Sequence, residues 1–211
     1  MSPHSLNIVV HVTAGCLAIG LGLVLLMRRK GDGFHRALGR VTVGVAGVSM
    51  AAALIGALVF RGKADLIGVS ILVSYHLWAG VRALRLKANG RGMLDVGPAL
   101  GVVVAAGALW WASRAGGAVN WEPGRVYAAV GGLTFYGGWD VVRTVFPAAW
   151  RRWLNPAEHG FRMTSLVGAL VSVAVATLWP ARADYSALGL SAVFAMLAGA
   201  LAVRAALRAA R

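Results

Sequence analysis

Seven apolar runs of 18 to 23 residues alternate along the chain with short polar connections. They are Ser5 to Met27, Val41 to Phe60, Leu66 to Leu84, Val96 to Ser113, Arg125 to Phe146, Arg162 to Trp179 and Ser186 to Leu207. About 20 apolar residues in a helix cross the roughly 30 Å hydrocarbon core of a bilayer. The runs are rich in alanine and lack alternation with a period of two, so they predict helices rather than barrel strands. The pattern therefore predicts an all-α, polytopic bundle of seven transmembrane helices, forming a single domain over residues 1–211.

Composition supports this class. The chain is 59% hydrophobic and 13% charged, with a mean hydropathy of +0.72. Soluble domains carry about 25% charged residues. The formal net charge of +14 would fit nucleic acid only if it formed a basic face on a soluble fold. Here the charges lie in the connections, which excludes nucleic acid as partner and points to the anionic inner leaflet of a bilayer.

The same charges orient the chain. One set of connections and the C-terminal tail hold Arg28, Arg29, Lys30, Arg36, Arg40, Arg82, Arg85, Lys87, Arg91, Arg143, Arg151, Arg152, Arg162, Arg204, Arg208 and Arg211, sixteen in all. The other set holds Arg61, Lys63, Arg114, Arg125 and Arg182, five in all. Positive loops stay in the cytoplasm. The expected topology has the N-terminus outside and the C-terminus inside, in a bacterial inner membrane. Trp110, Trp111, Trp121, Trp150, Trp153, Trp179 and Tyr185 fall near span ends, as interfacial belts do. Gly97 and Gly101, with Gly15, Gly20 and Gly22, offer sites of close helix contact. Pro147 and Pro156 bracket a connection expected to be turn. The lone Cys16 excludes an internal disulfide and reads as a small helix residue.

Ionisable groups inside a bilayer cost about 2.5–3.5 kcal/mol at its centre, so they are the candidates for function. His11 lies about 9 Å into the first span and His76 about 15 Å into the third, at about 1.5 Å per residue. His35 and His159 stand just before the second and sixth spans, and Asp140 approaches the same inner layer from the fifth. Two neutral imidazoles on different helices can hold haem b; His11 with His76 would form an outer site and His35 with His159 an inner one. Alternatively, His35, Asp140 and His159 are N and O ligands of the kind zinc takes in a metal-dependent membrane hydrolase. Asp140 and the histidines could also line a proton-coupled transport path, and Asp140 could simply pair with Arg143, three residues on, or with an arginine of the loop. A non-catalytic accessory subunit, packing on other membrane subunits, needs no chemistry at all.

Four motifs together resemble a known family: His11-x3-Gly15; Lys30-Gly31 followed by His35-Arg36-x2-Gly39-Arg40; Asp140 late in the fifth run; and Trp153-Leu154 followed by His159-x2-Arg162-Met163. They resemble the bacterial multispanning membrane family known as domain of unknown function 2306, over about the first six runs. The resemblance implies an inner-membrane bundle with His11, His35, Asp140, His159 and Arg162 as shared polar residues, and implies no activity. His76 lies outside the pattern. The candidate site is thus the inner cluster of His35, Asp140, His159, Arg36 and Arg162. Its arginines suit an anionic partner such as a haem propionate, a quinone head group or a lipid phosphate.

Overall fold

The computed structural model describes residues 1–60, 65–86, 89–115, 123–179, 193–201 and 203–204. Among these the chain is all helical, with six long helices: α1 (Pro3–Met27), α2 (Gly33–Leu58), α3 (Asp65–Leu86), α4 (Met93–Arg114), α5 (Pro123–Val142) and α6 (Arg151–Leu178). Five of them, α1 to α4 and α6, are long and apolar enough to cross a membrane. This is fewer than the seven expected. The fifth run does form a helix of 20 residues, but Tyr127, Tyr136, Trp139, Asp140 and its glycines make it less apolar than its neighbours. Most of the seventh run lies outside the described residues; 193–201 are helical.

Two boundaries move in an informative way. Helix α2 begins at Gly33, not Val41, because the Asp32 side chain accepts from the His35 N–H at 2.6 Å and caps the first turn. The connection from α1 shrinks to a tight turn around Gly31, whose φ of 86° favours glycine. Lys30 closes the other side by donating to the carbonyls of Leu25 and Leu26 at the end of α1. Helix α6 begins at Arg151, not Arg162, and Pro156 lies inside it. The expected turn is confined to two short 3-10 segments, Arg143–Val145 and Ala148–Trp150. Proline so near a helix start removes little of the ladder, and bundles tolerate it.

Helix α3 is the hub, packing against α2, α4, α5 and α6. Helix α1 pairs with α2 and also touches α6, and α4 pairs with α5. Small residues set these distances, as they do where lipid gives no hydrophobic drive between helices. Ala14, Ala18 and Gly22 form the buried stripe of α1. A methyl group added at Gly22 would meet Val167 of α6 at 2.6 Å, one at Gly132 would meet Leu72 of α3 at 2.8 Å, and one at Gly137 would meet the Ala99 carbonyl of α4 at 2.7 Å. Gly97 and Gly101, by contrast, have nothing near them among the described residues. That pair faces outward rather than serving a contact within the chain. Two apolar clusters fill the interior, one around Tyr75, Ala79, Ala99 and Leu133, the other around Met50, Val73 and Leu166.

Candidate functional site

One end of the bundle holds a buried ionic centre. It is assembled from α3, the α3–α4 connection, the end of α5 and the first turns of α6. Helix α6 supplies most of it. Asn155, Glu158 and Arg162 recur at three- and four-residue intervals, so they share one face, and all are buried. That face turns toward α3 because Gly80 lets α6 approach closely: a methyl group added there would lie 3.0 Å from the Arg162 Cβ. The Gly80 carbonyl meets the Nδ1 of His159 at 2.9 Å.

Asp140, at the end of α5, reaches into this face. Its Oδ1 lies 3.1 Å from the guanidinium of Arg162 and 3.1 Å from that of Arg91. Its Oδ2 accepts from the Tyr75 hydroxyl at 2.5 Å. Glu158 is the second acceptor. Arg162 approaches it at 3.1 Å and Arg91 at 3.4 Å, and Arg143 pairs with its other oxygen. Arg143 also donates to the Asn155 side chain at 2.8 Å. The flat face of Arg162 lies over the rings of Tyr75 and Tyr136, at 5.4 and 4.7 Å from their centroids, which fixes its plane.

The charges do not balance within the centre. Arg91, Arg143 and Arg162 face Asp140 and Glu158, three cations against two anions. The side chains of all five are at most 4% exposed. The donors are not all used either. The Nε and Nη1 of Arg91, the Nε of Arg143 and the Nη1 of Arg162 are buried with no hydrogen-bond partner among the described residues. Each such donor costs about 1–3 kcal/mol, more when charged.

The residues expected from sequence fall into separate places. Asp140 and Arg162 are in the centre. His159, next to Glu158 on α6, lies beside it, whereas among the described residues His35 makes none of the contacts that build the centre. His35 is in the first turn of α2, whereas His159 is two turns into α6. Arg36 is exposed and takes no part. His11 is tied to α2, its Nδ1 3.0 Å from the Ser49 carbonyl, while the Ser49 hydroxyl donates to the His11 carbonyl. His76 is buried against Tyr136 of α5, with ring centroids 4.4 Å apart. Its neighbour is thus α5, and the outer haem pair is not brought together. The zinc set does not form either: among the described residues no three His, Cys, Asp or Glu side chains could hold one metal ion. Asp140 is turned to arginines instead, to Arg91 and Arg162 rather than to nearby Arg143.

Sequence reasoning missed Arg91, Glu158, Tyr75 and Asn155. Arg91 was counted only as an orienting charge. Glu158 was hidden by starting the sixth span at Arg162; the helical spacing of Asn155, Glu158 and Arg162 was the signal that extends it. No family model, no curated protein and no solved structure matches this chain.

Proposed function

We propose that this is a seven-span protein of a bacterial inner membrane, N-terminus outside and C-terminus cytoplasmic, that works as a redox or cofactor-associated membrane protein through its ionic centre. The topology rests on the sixteen-to-five asymmetry of positive charge. Arg91, Arg143 and Arg162 of the centre are three of those sixteen. One observation carries the cofactor reading: three buried arginines outnumber two buried carboxylates, and they sit among Tyr75, Tyr136 and His76. Ionisable groups in that position are kept at a cost, which function repays. A haem propionate or a quinone head group would engage the arginines, with His159 at hand beside them. His159 uses Nδ1 on a carbonyl, which leaves Nε2 as the nitrogen able to ligate.

The test is a visible spectrum, oxidised and reduced, of protein purified in mild detergent from cells supplied with haem, together with solvent extraction for quinone. A Soret band or a stoichiometric quinone is expected. Absence of both removes the reading. A second reading, an accessory subunit, is favoured by the outer face of α4, where Gly97, Gly101 and Gly107 are open beside exposed Leu100 and Val104. Such a stripe suits a neighbouring helix, and native purification that yields the chain alone would remove this alternative.

A further inference from the structure

We propose that the ionic centre binds a phosphate-type oxyanion, and that Arg91 is its principal donor. This rests on the reading of the centre as the working site, but it names a ligand chemistry that haem and quinone do not require. The unmatched charge is positive, so a neutral quinone carbonyl would leave it unmatched. The unpartnered donors belong to three arginines on three different segments: the α3–α4 connection, the end of α5 and α6. They present more N–H groups, from more directions, than the two oxygens of a carboxylate take. A phosphate offers three or four acceptor oxygens in a tetrahedral array, and guanidinium forks match them.

Arg91 differs from its partners in its support. Arg162 is clamped by two rings and Arg143 is held by Glu158 and Asn155. Arg91 stands between Gly90 and Gly92, and among the described residues only its Nη2 has an ion-pair partner. The Arg151 guanidinium lies on Gly90, within 3.3 Å of where a methyl group there would be. A further positive charge thus lies against the backbone that carries Arg91. An oxyanion drawn to Arg151 would next meet Arg91. The same chemistry is found in a phospholipid of the inner leaflet and in soluble phosphate.

The experiment uses the full chain, purified in maltoside and stripped of lipid. Thermal unfolding is followed with inorganic phosphate, with chloride of equal ionic strength, with phosphatidylglycerol, and with a galactolipid that has no phosphate. A saturable rise in Tm with phosphate over chloride assigns a soluble ligand. A rise with phosphatidylglycerol over galactolipid assigns a lipid. Arg91→Gln should weaken the effective ligand about ten- to a hundredfold, the loss of a charge-assisted contact, while Arg82→Gln should leave it unchanged. Arg91→Lys keeps the charge without the fork and should weaken it by less; it decides the matter if Arg91→Gln does not fold. No rise with either ligand, or wild-type affinity in both Arg91 variants, overturns the proposal. A preparation free of haem and quinone that still responds to phosphate upholds the proposal and removes the cofactor reading; a cofactor-loaded protein without the response does the reverse.

Discussion

Replacing Asp140 by Asn is the most direct perturbation of the centre, because it changes charge at nearly constant volume. In the native protein Asp140 matches Arg91 and Arg162, each at 3.1 Å, and takes the Tyr75 hydroxyl at 2.5 Å. The side chain is fully buried. The variant keeps one oxygen for Tyr75 but faces two guanidinium groups with a neutral amide. Three cations then share Glu158 alone. Removing one partner of a buried ion pair costs about 3–5 kcal/mol, since the other charge is left uncompensated. Asp140→Asn should therefore lower the apparent unfolding free energy by about that much, read from denaturation in mixed detergent micelles. The internal control is Arg82, which pairs with Asp95 at 2.6 Å but is 30% exposed. Because the Asp95 carboxylate that it leaves behind is buried, Arg82→Gln should itself cost about 1–3 kcal/mol, less than Asp140→Asn since water reaches the Arg82 side of the pair. The double variant Asp140→Asn with Arg162→Gln leaves two cations facing one anion, the native excess of one positive charge, and should cost less than the sum of its parts, because the sites are in direct contact. If Asp140→Asn costs no more than Arg82→Gln, the centre is not an electrostatic unit and the reasoning fails.

Gly80→Val should separate α3 from α6 and cost about 1–3 kcal/mol by overpacking; retention of wild-type stability in the same assay would refute the close approach. His11→Ala should cost about 1 kcal/mol, one hydrogen bond between α1 and α2, and should leave any ligand response of the centre unchanged; loss of that response would show coupling between the two ends. Topology is checked in a Cys16→Ser background with single cysteines and a membrane-impermeant maleimide. Ser2→Cys should label in intact spheroplasts and Arg29→Cys only after permeabilisation; the opposite order would invert the assigned orientation.

The class of fold was legible because bilayer burial acts on long runs of side chains at once, and averaging over about 20 residues hides local errors. What the averaging lost was at the run edges. Gly33 to Arg40 and Arg151 to Phe161 are polar enough to end a hydropathy run, yet both are helix. Their helicity is set locally, by the Asp32 cap for one and by a polar face buried against α3 for the other. The fifth helix shows the converse. It has the right length, but glycines and aromatic rings lower its hydropathy while improving its packing against α3 and α4. In the candidate site, Asp140 and Arg162 were visible as charges within or beside apolar runs. Arg91 was not, because nothing in its neighbours distinguishes an arginine that faces cytoplasm from one that turns into the bundle.

The relation of His35 to His159 sharpens under the same logic. Both were expected to meet the membrane at one layer, as entries to parallel helices. In the fold, α2 and α6 each pack on α1 and α3 and meet in one apolar cluster through Met50 and Leu166, while His159 lies two turns into its helix and His35 in the first turn of its own. The difference arises because α6 extends its start below the turn, carrying Asn155 and Glu158 inward ahead of His159, whereas α2 starts at the capped turn. If the centre rather than the histidine pair organises this end, His159→Ala and His35→Ala should each leave the Asp140→Asn penalty unchanged. A penalty that falls by more than about 0.5 kcal/mol in either background, beyond the additivity of independent sites, would return the histidines to the heart of the site.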